Sequence, residues 1–156
     1  MYQKILVAYN GTPESRSALD EVIRIAGDPS IEVHLAGVVH YPSAYLLAGE
    51  YVPEVALADE RDHMENDLKS AHKLLADRGL NVTQHLVVGE PVDTLSKLVD
   101  QLGIDLLILG HPRSQSFAMR WWRGSVDKMM VERVKCSILI AAGSAKPRAK
   151  EASRQP

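Results

Sequence analysis

Gly110-His111-Pro112-Arg113-Ser114, directly after the apolar run Leu106-Leu107-Ile108-Leu109, and Arg123-Gly124-Ser125-Val126 further on carry the residue types that hold a phosphate. A glycine where a buried strand exits lets the backbone turn sharply and lets a ligand come close. A second glycine followed by a hydroxyl, at the start of a predicted helix, offers backbone N–H groups to an anion. Ser125 adds a hydroxyl donor, while Arg113 and Arg123 add fixed positive charge in a fork that suits phosphate. The pattern predicts a phosphate-binding loop between a fourth strand and a last helix. The alternative is structural: Gly110 only turns the chain, Ser125 only caps the helix, and the arginines lie on a solvated loop.

A second stretch, Ala8-Tyr9-Asn10-Gly11-Thr12-Pro13, ends the first apolar run. Thr12 is placed to cap a helix and Pro13 to occupy its first position. Asn10 can hydrogen-bond a base, a ribose or the loop backbone, but it lacks the charge with which a carboxylate holds a divalent cation. Trp121-Trp122 can stack on a base, meet a partner or pack on the domain itself, and self-packing is the commonest use of such rings. His111 lies beside the predicted phosphate loop and reads as a loop histidine before a catalyst, with no acid residue adjacent to it in sequence. His34, His40, His63, His72 and His85 show no metal-ligand spacing, and no Ser-His-Asp motif with local context appears. No catalytic residue and no metal ligand is therefore assigned.

The elements that must position these groups follow from periodicity. Ile5–Tyr9, Ile31–Val39, Val82–Val88, Leu106–Leu109 and Ser137–Ala142 read as strands. Between them, Ala18, Leu19, Val22, Ile23 and Ala26 share one helical face, as do Met64, Leu68, Ala71 and Leu75 in a helix from about Val55 to Arg78. Val92, Leu95, Val99 and Leu102, then Val126, Met130 and Val134, mark two further helices. Strands without clean in/out alternation, each followed by a helix, predict a doubly wound parallel sheet covered on both faces. In such a sheet ligands sit at the carboxyl ends of the strands, where the winding reverses. The Asn10 turn and the Gly110 loop then meet on one rim if the first and fourth strands are neighbours.

The bulk numbers narrow the function. The chain has 156 residues, 46% hydrophobic but only 5% aromatic, with a formal net charge of −2. That suits one domain with an aliphatic core and excludes a broadly basic nucleic-acid binder. The single cysteine, Cys136, excludes an internal disulfide framework and reads as a small buried hydrophobe. No signal peptide or membrane-length apolar run is visible, which predicts a soluble cytoplasmic protein. The domain is expected over residues 1–143, with 144–156 a flexible basic tail.

Ile5-Leu6-Val7-Ala8-Tyr9-Asn10-Gly11-Thr12, Val87-Val88-Gly89-Glu90-Pro91, Leu107-Ile108-Leu109-Gly110, Gly124-Ser125-Val126 and Cys136-Ser137-Ile138-Leu139-Ile140 together resemble the universal stress protein family over residues 2–142. The resemblance implies a five-stranded sheet of order 3-2-1-4-5 and a bound adenine nucleotide, ATP or AMP. Taken with the chemistry of the residues themselves, it gives as binding residues Ala8, Tyr9, Asn10, Gly11, Thr12, the backbone at Val38 and Val39, Gly110, His111, Arg113, Ser114, Arg123, Gly124, Ser125 and Val126. It also implies a homodimer through an antiparallel contact of the last strand, at Ser137, Ile138, Leu139, Ile140 and Ala141. The nucleotide-binding branch of the family has a glycine, two residues, a glycine, nine residues, a glycine and then Ser or Thr. Here Arg113 stands at the second glycine, the loop is one residue longer, and Asn10 replaces the usual aspartate. These departures speak against ordinary ATP–magnesium binding, and the arginine offsets a lost metal ligand if a nucleotide is held without metal. The leading reading is a sensing or regulatory nucleotide-binding protein. A nucleotide-free dimeric interaction protein comes second, and an enzyme such as a slow ATPase comes last, since no general base is evident beside the loop.

Overall fold

The computed structural model describes residues 1–40, 54–111 and 126–142. Its elements are β1 (Lys4–Ala8), α1 (Pro13–Ile25), β2 (Glu32–Val39), α2 (Glu54–Ala76), β3 (Asn81–Val88), α3 (Pro91–Leu102), β4 (Leu106–His111), α4 (Val126–Arg133) and β5 (Ser137–Ala142). The strands form one five-stranded sheet in the order β3-β2-β1-β4-β5. Every neighbouring pair is parallel, with Ile5 opposite both Val33 and Leu106. The expected doubly wound order is thus the observed one.

Alternation along the central strands divides the core in two. Ile5, Val7, Val33, Leu35, Leu106 and Ile108 face α1 and α2, where they meet Leu19, Val22, Leu68 and Leu75. Leu6, Ala8, Ala36, Val38, Leu107 and Leu109 face α3 and α4, where they meet Leu95, Val99 and Met130. Both sides of β1 and β4 are therefore covered, which explains their unbroken apolar runs. Burying each of these large aliphatic side chains contributes about 1.5–3 kcal/mol. An Arg133–Asp93 ion pair of 2.8 Å joins α4 to α3 at their exposed margin.

The outer strands differ. β3 and β5 are edges, and their side chains are only partly covered, with Ile140 on β5 43% exposed. The lack of clean alternation read from the sequence holds at these edges too, where burial along β3 and β5 is irregular and mostly partial.

Gly110 also departs from expectation. It does not turn the chain at a strand exit: β4 continues through Gly110 and His111, which pair with Ala141 and Ala142. Its φ is not left-handed. A Cβ at Gly110 would collide with the Glu14 carbonyl oxygen and lie 2.5 Å from the Glu14 carbonyl carbon and 2.8 Å from the Ser15 nitrogen. The missing side chain lets the first turn of α1 rest directly on β4.

Candidate functional site at the carboxyl rim

The winding reverses between β1 and β4, so the turn after β1 occupies the switch point. Its geometry comes from three polar side chains. Asn10 Oδ1 accepts hydrogen bonds from the Thr12 amide, at 3.2 Å, and from the Thr12 hydroxyl, at 2.6 Å. Thr12 Oγ1 accepts from the Ser15 amide at 3.3 Å, as an N-cap does, and Pro13 follows where the helix needs no N–H. Ser15, 2% exposed, donates its hydroxyl to the Thr12 carbonyl at 2.9 Å and accepts from the Asn10 amide at 3.4 Å. The cap and first position expected of Thr12 and Pro13 are as found.

This network uses Asn10 Oδ1 and leaves Asn10 Nδ2 over. Nδ2 is buried and has no hydrogen-bond partner among the described residues. An aspartate would present a second carboxylate oxygen there, an acceptor able to meet a cation or a hydroxyl. Asparagine presents a donor, so a ligand atom that satisfies it must accept a hydrogen bond. A buried donor left without a partner costs about 1–3 kcal/mol, which a ligand would recover.

Gly11 has φ 75°, a left-handed conformation that favours glycine. Above it lies the carboxylate of Asp67 from α2: a Cβ on Gly11 would fall on Asp67 Oδ2 and lie 3.0 Å from Asp67 Cγ. Asp67 is partly exposed. Sequence reasoning assigns it no role, because only the apolar stripe Met64, Leu68, Ala71 and Leu75 stands out in this helix. The available clue is its adjacency to that stripe, which fixes its direction toward the sheet.

Other expected site residues are core side chains. Ala8, Tyr9, Val38 and Val39 are all 4% exposed or less. Only their backbone can meet a ligand, and part of it is already used: the Tyr9 amide donates to the Ala36 carbonyl at 2.8 Å, and the Val39 carbonyl accepts from the Gly89 amide at 3.0 Å. His40 Nδ1 lies 3.4 Å from the Gly89 carbonyl oxygen and ties the end of β2 to the turn after β3. His111 ends β4 at the rim. Thus Asn10, Gly11, Thr12, the end of β2 and His111 are brought to one edge. Arg113, Ser114, Arg123, Gly124 and Ser125, with Trp121 and Trp122, lie outside the described residues, and Val126 opens α4.

A depression of about 840 Å³ opens at the opposite, amino end of the sheet, lined in part by Tyr2, Asp105, Lys135 and Cys136. Both Asp105 oxygens there are engaged by the Gln3 and Lys4 amides, at 2.8 and 3.1 Å. Burial raises the Cys136 thiol above its ordinary range, away from the reactive thiolate. Among the described residues, no three His, Cys, Asp or Glu side chains are grouped to hold a metal ion. No helix among them is long and apolar enough to cross a membrane.

A parallel sheet of this order, with its polar turn at the carboxyl end beside the reversal, defines an open α/β protein of the switch-point class. The sequence model of the universal stress protein family matches residues 1–142, and the chain belongs to that family. Universal stress protein Rv1636 of Mycobacterium tuberculosis (strain ATCC 25618 / H37Rv) is 29% identical over 143 residues, covering 89% of this chain and 95% of that protein. The solved structure of hypothetical protein MJ0577 has the same fold, with a TM-score of 0.76 at 23% identity over 93% of this chain and 99% of its own. A universal stress protein solved in complex with cAMP is 26% identical, with a TM-score of 0.59 over 92% of this chain and 98% of that chain.

Proposed function

We propose that this universal stress protein binds an adenine nucleotide at the carboxyl rim, around the turn after β1 and the end of β4, and acts as a homodimeric sensor or regulator. The observation that carries the reading is the buried Asn10 Nδ2 at the switch point, which has no hydrogen-bond partner among the described residues. Asp67 beside Gly11 supports it, since a carboxylate accepts from a ribose hydroxyl. The likeness to a cAMP-bound family structure at 26% identity points to the same ligand class. The nucleotide is bound without magnesium, because Asn10 supplies a donor in place of a metal-binding oxygen. Arg113, Arg123, Gly124 and Ser125 complete the phosphate side in this reading.

The homodimer forms through β5, an edge strand with Ile140 exposed and Ile138 partly so. A bare apolar edge invites pairing with a second copy. Native mass spectrometry of the purified protein tests both parts, since it reads subunit count and any retained small molecule together. Dimer mass with an adenine nucleotide bound supports the proposal. Monomer mass in the wild type, or dimer mass that Ile138→Lys and Ile140→Lys leave unchanged, contradicts the dimer through β5.

One observation favours a second reading, a nucleotide-free dimeric interaction protein. The space that Gly110 leaves open is filled by the backbone of α1. Under that reading no nucleotide is retained, and Asn10→Ala changes stability without changing any ligand affinity.

A further inference from the structure

Near the β3 edge, on the face of the sheet that carries α3, two histidines from neighbouring strands meet. His34 Nδ1 and His85 Nε2 are 3.0 Å apart, with ring centroids 5.2 Å apart and planes inclined at 38°. The register creates the encounter. His34 stands opposite Thr83 and Ala36 opposite His85, so the two histidines are diagonal neighbours on one face. The other nitrogen of His34, Nε2, is buried without a hydrogen-bond partner among the described residues and lies 3.7 Å from Glu32 Oε2. Lys4 Nζ is 3.6 Å from the same Glu32 oxygen and 3.4 Å from the Leu102 carbonyl oxygen.

We propose that His34 and His85 form a binding site for a divalent transition-metal ion, with His34 Nδ1 and His85 Nε2 as ligands and Glu32 orienting His34 from behind. The distance fits. Two imidazole nitrogens about 2.0–2.1 Å from a tetrahedral zinc ion stand roughly 3.3 Å apart, so the rings need to part by only a few tenths of an ångström. The tautomer fits as well. A proton on Nε2 of His34 faces the Glu32 carboxylate and leaves a lone pair on Nδ1 that accepts from His85 Nε2–H; on metal binding that proton leaves Nε2 and the His85 ring carries its proton on Nδ1 instead. At 3.7 Å the His34 ring and the Glu32 carboxylate do not yet hydrogen-bond, and a small approach of Glu32 would give the carboxylate–histidine arrangement that fixes metal-binding histidines elsewhere.

The surroundings complete the case. Only neutral imidazoles ligate a metal ion, so uptake is to be measured at or above neutral pH. The Lys4 ammonium has two acceptors of its own, Glu32 Oε2 and the Leu102 carbonyl oxygen. His34 is 8% exposed, but His85 is half-buried and Thr83 is exposed, so an ion has an entry path and water can fill its remaining positions. Imidazole ligands select zinc, copper or nickel over magnesium or calcium. With two protein ligands the ion is exchangeable rather than locked in. The site lies on the sheet face, apart from the rim, and does not depend on nucleotide binding.

Zinc titration of the full-length, chelator-treated protein by calorimetry tests the proposal, with the metal alone as probe. One zinc ion per chain is expected. His85→Gln, whose amide can still hydrogen-bond to His34, should weaken binding at least about tenfold, and Glu32→Gln should weaken it by a smaller factor. His63→Gln on exposed α2 should leave it unchanged. Long-range proton–nitrogen NMR of the wild type should show zinc moving the His34 Nδ1 and His85 Nε2 resonances, a readout that stands even if a variant fails to fold. Absent zinc uptake, equal affinity in His85→Gln, or unmoved resonances of these two nitrogens would each overturn the proposal.

Discussion

Gly110→Ala should be among the most damaging single-methyl additions in this protein. The new Cβ would lie 2.5 Å from the Glu14 carbonyl carbon and 2.8 Å from the Ser15 nitrogen, both of them backbone. Ordinary van der Waals separation begins near 3.4 Å. The first turn of α1 must therefore lift from β4 by roughly 1 Å, a gap at which the dispersion attraction between facing atoms falls by a quarter to a half. Ala18, Leu19 and Val22, all 1% exposed or less, lie under that helix. Neither partner can yield by a rotamer change, so the cost should lie near the upper end of the about 1–3 kcal/mol seen for overpacked cores. For a chain of this size that is a fall in Tm of about 6–12 °C. Urea unfolding followed by circular dichroism measures it, with the midpoint falling and the slope unchanged. Gly27→Ala is the control, since a Cβ there meets nothing within 4 Å. A Gly110→Ala protein within about 0.5 kcal/mol of wild type would refute the packing account of this glycine.

Thr12→Ala removes the N-cap of α1 and should cost about 1 kcal/mol by urea unfolding, with Thr12→Ser restoring most of it. Leu107→Ala empties a wholly buried position in the central sheet and should cost about 2–5 kcal/mol in the same assay. With chelator present, acid should destabilise the protein through His34 and His85. Their folded pKa values lie below the ordinary 6.5, so the unfolded chain binds protons first. Their contribution is complete above about pH 7, declines as pH falls through 6.5, and levels off below the folded values; His85→Gln should flatten that dependence. Cys136 should alkylate slowly at neutral pH in the native state and quickly in urea, because burial raises its pKa.

The sheet is legible in the sequence because parallel strands buried on both faces leave continuous apolar runs, and Leu106–Leu109 or Ile5–Ala8 can be little else. The Thr12–Pro13 helix start is equally plain, since capping is local chemistry. Gly110 stands out for the wrong reason: a glycine at the end of an apolar run looks like a turn, and only the position of α1 shows that it makes room for a helix. Asp67 and the His34–His85 pair escape sequence reasoning for one reason. Each is a contact between residues far apart in sequence, created by register or helix placement, and neither leaves a spacing signal. The phosphate-side residues from Arg113 to Ser125 carry the expectation of a phosphate loop, and they lie outside the described residues.

Calorimetric titration of the wild-type protein with cAMP, AMP and ATP, in buffer containing EDTA, bears most directly on the rim as a nucleotide site. Saturable binding of at least one of the three without metal, weakened by Asn10→Ala, is the predicted result. Failure of all three to bind, or binding that appears only when magnesium is added, would contradict it.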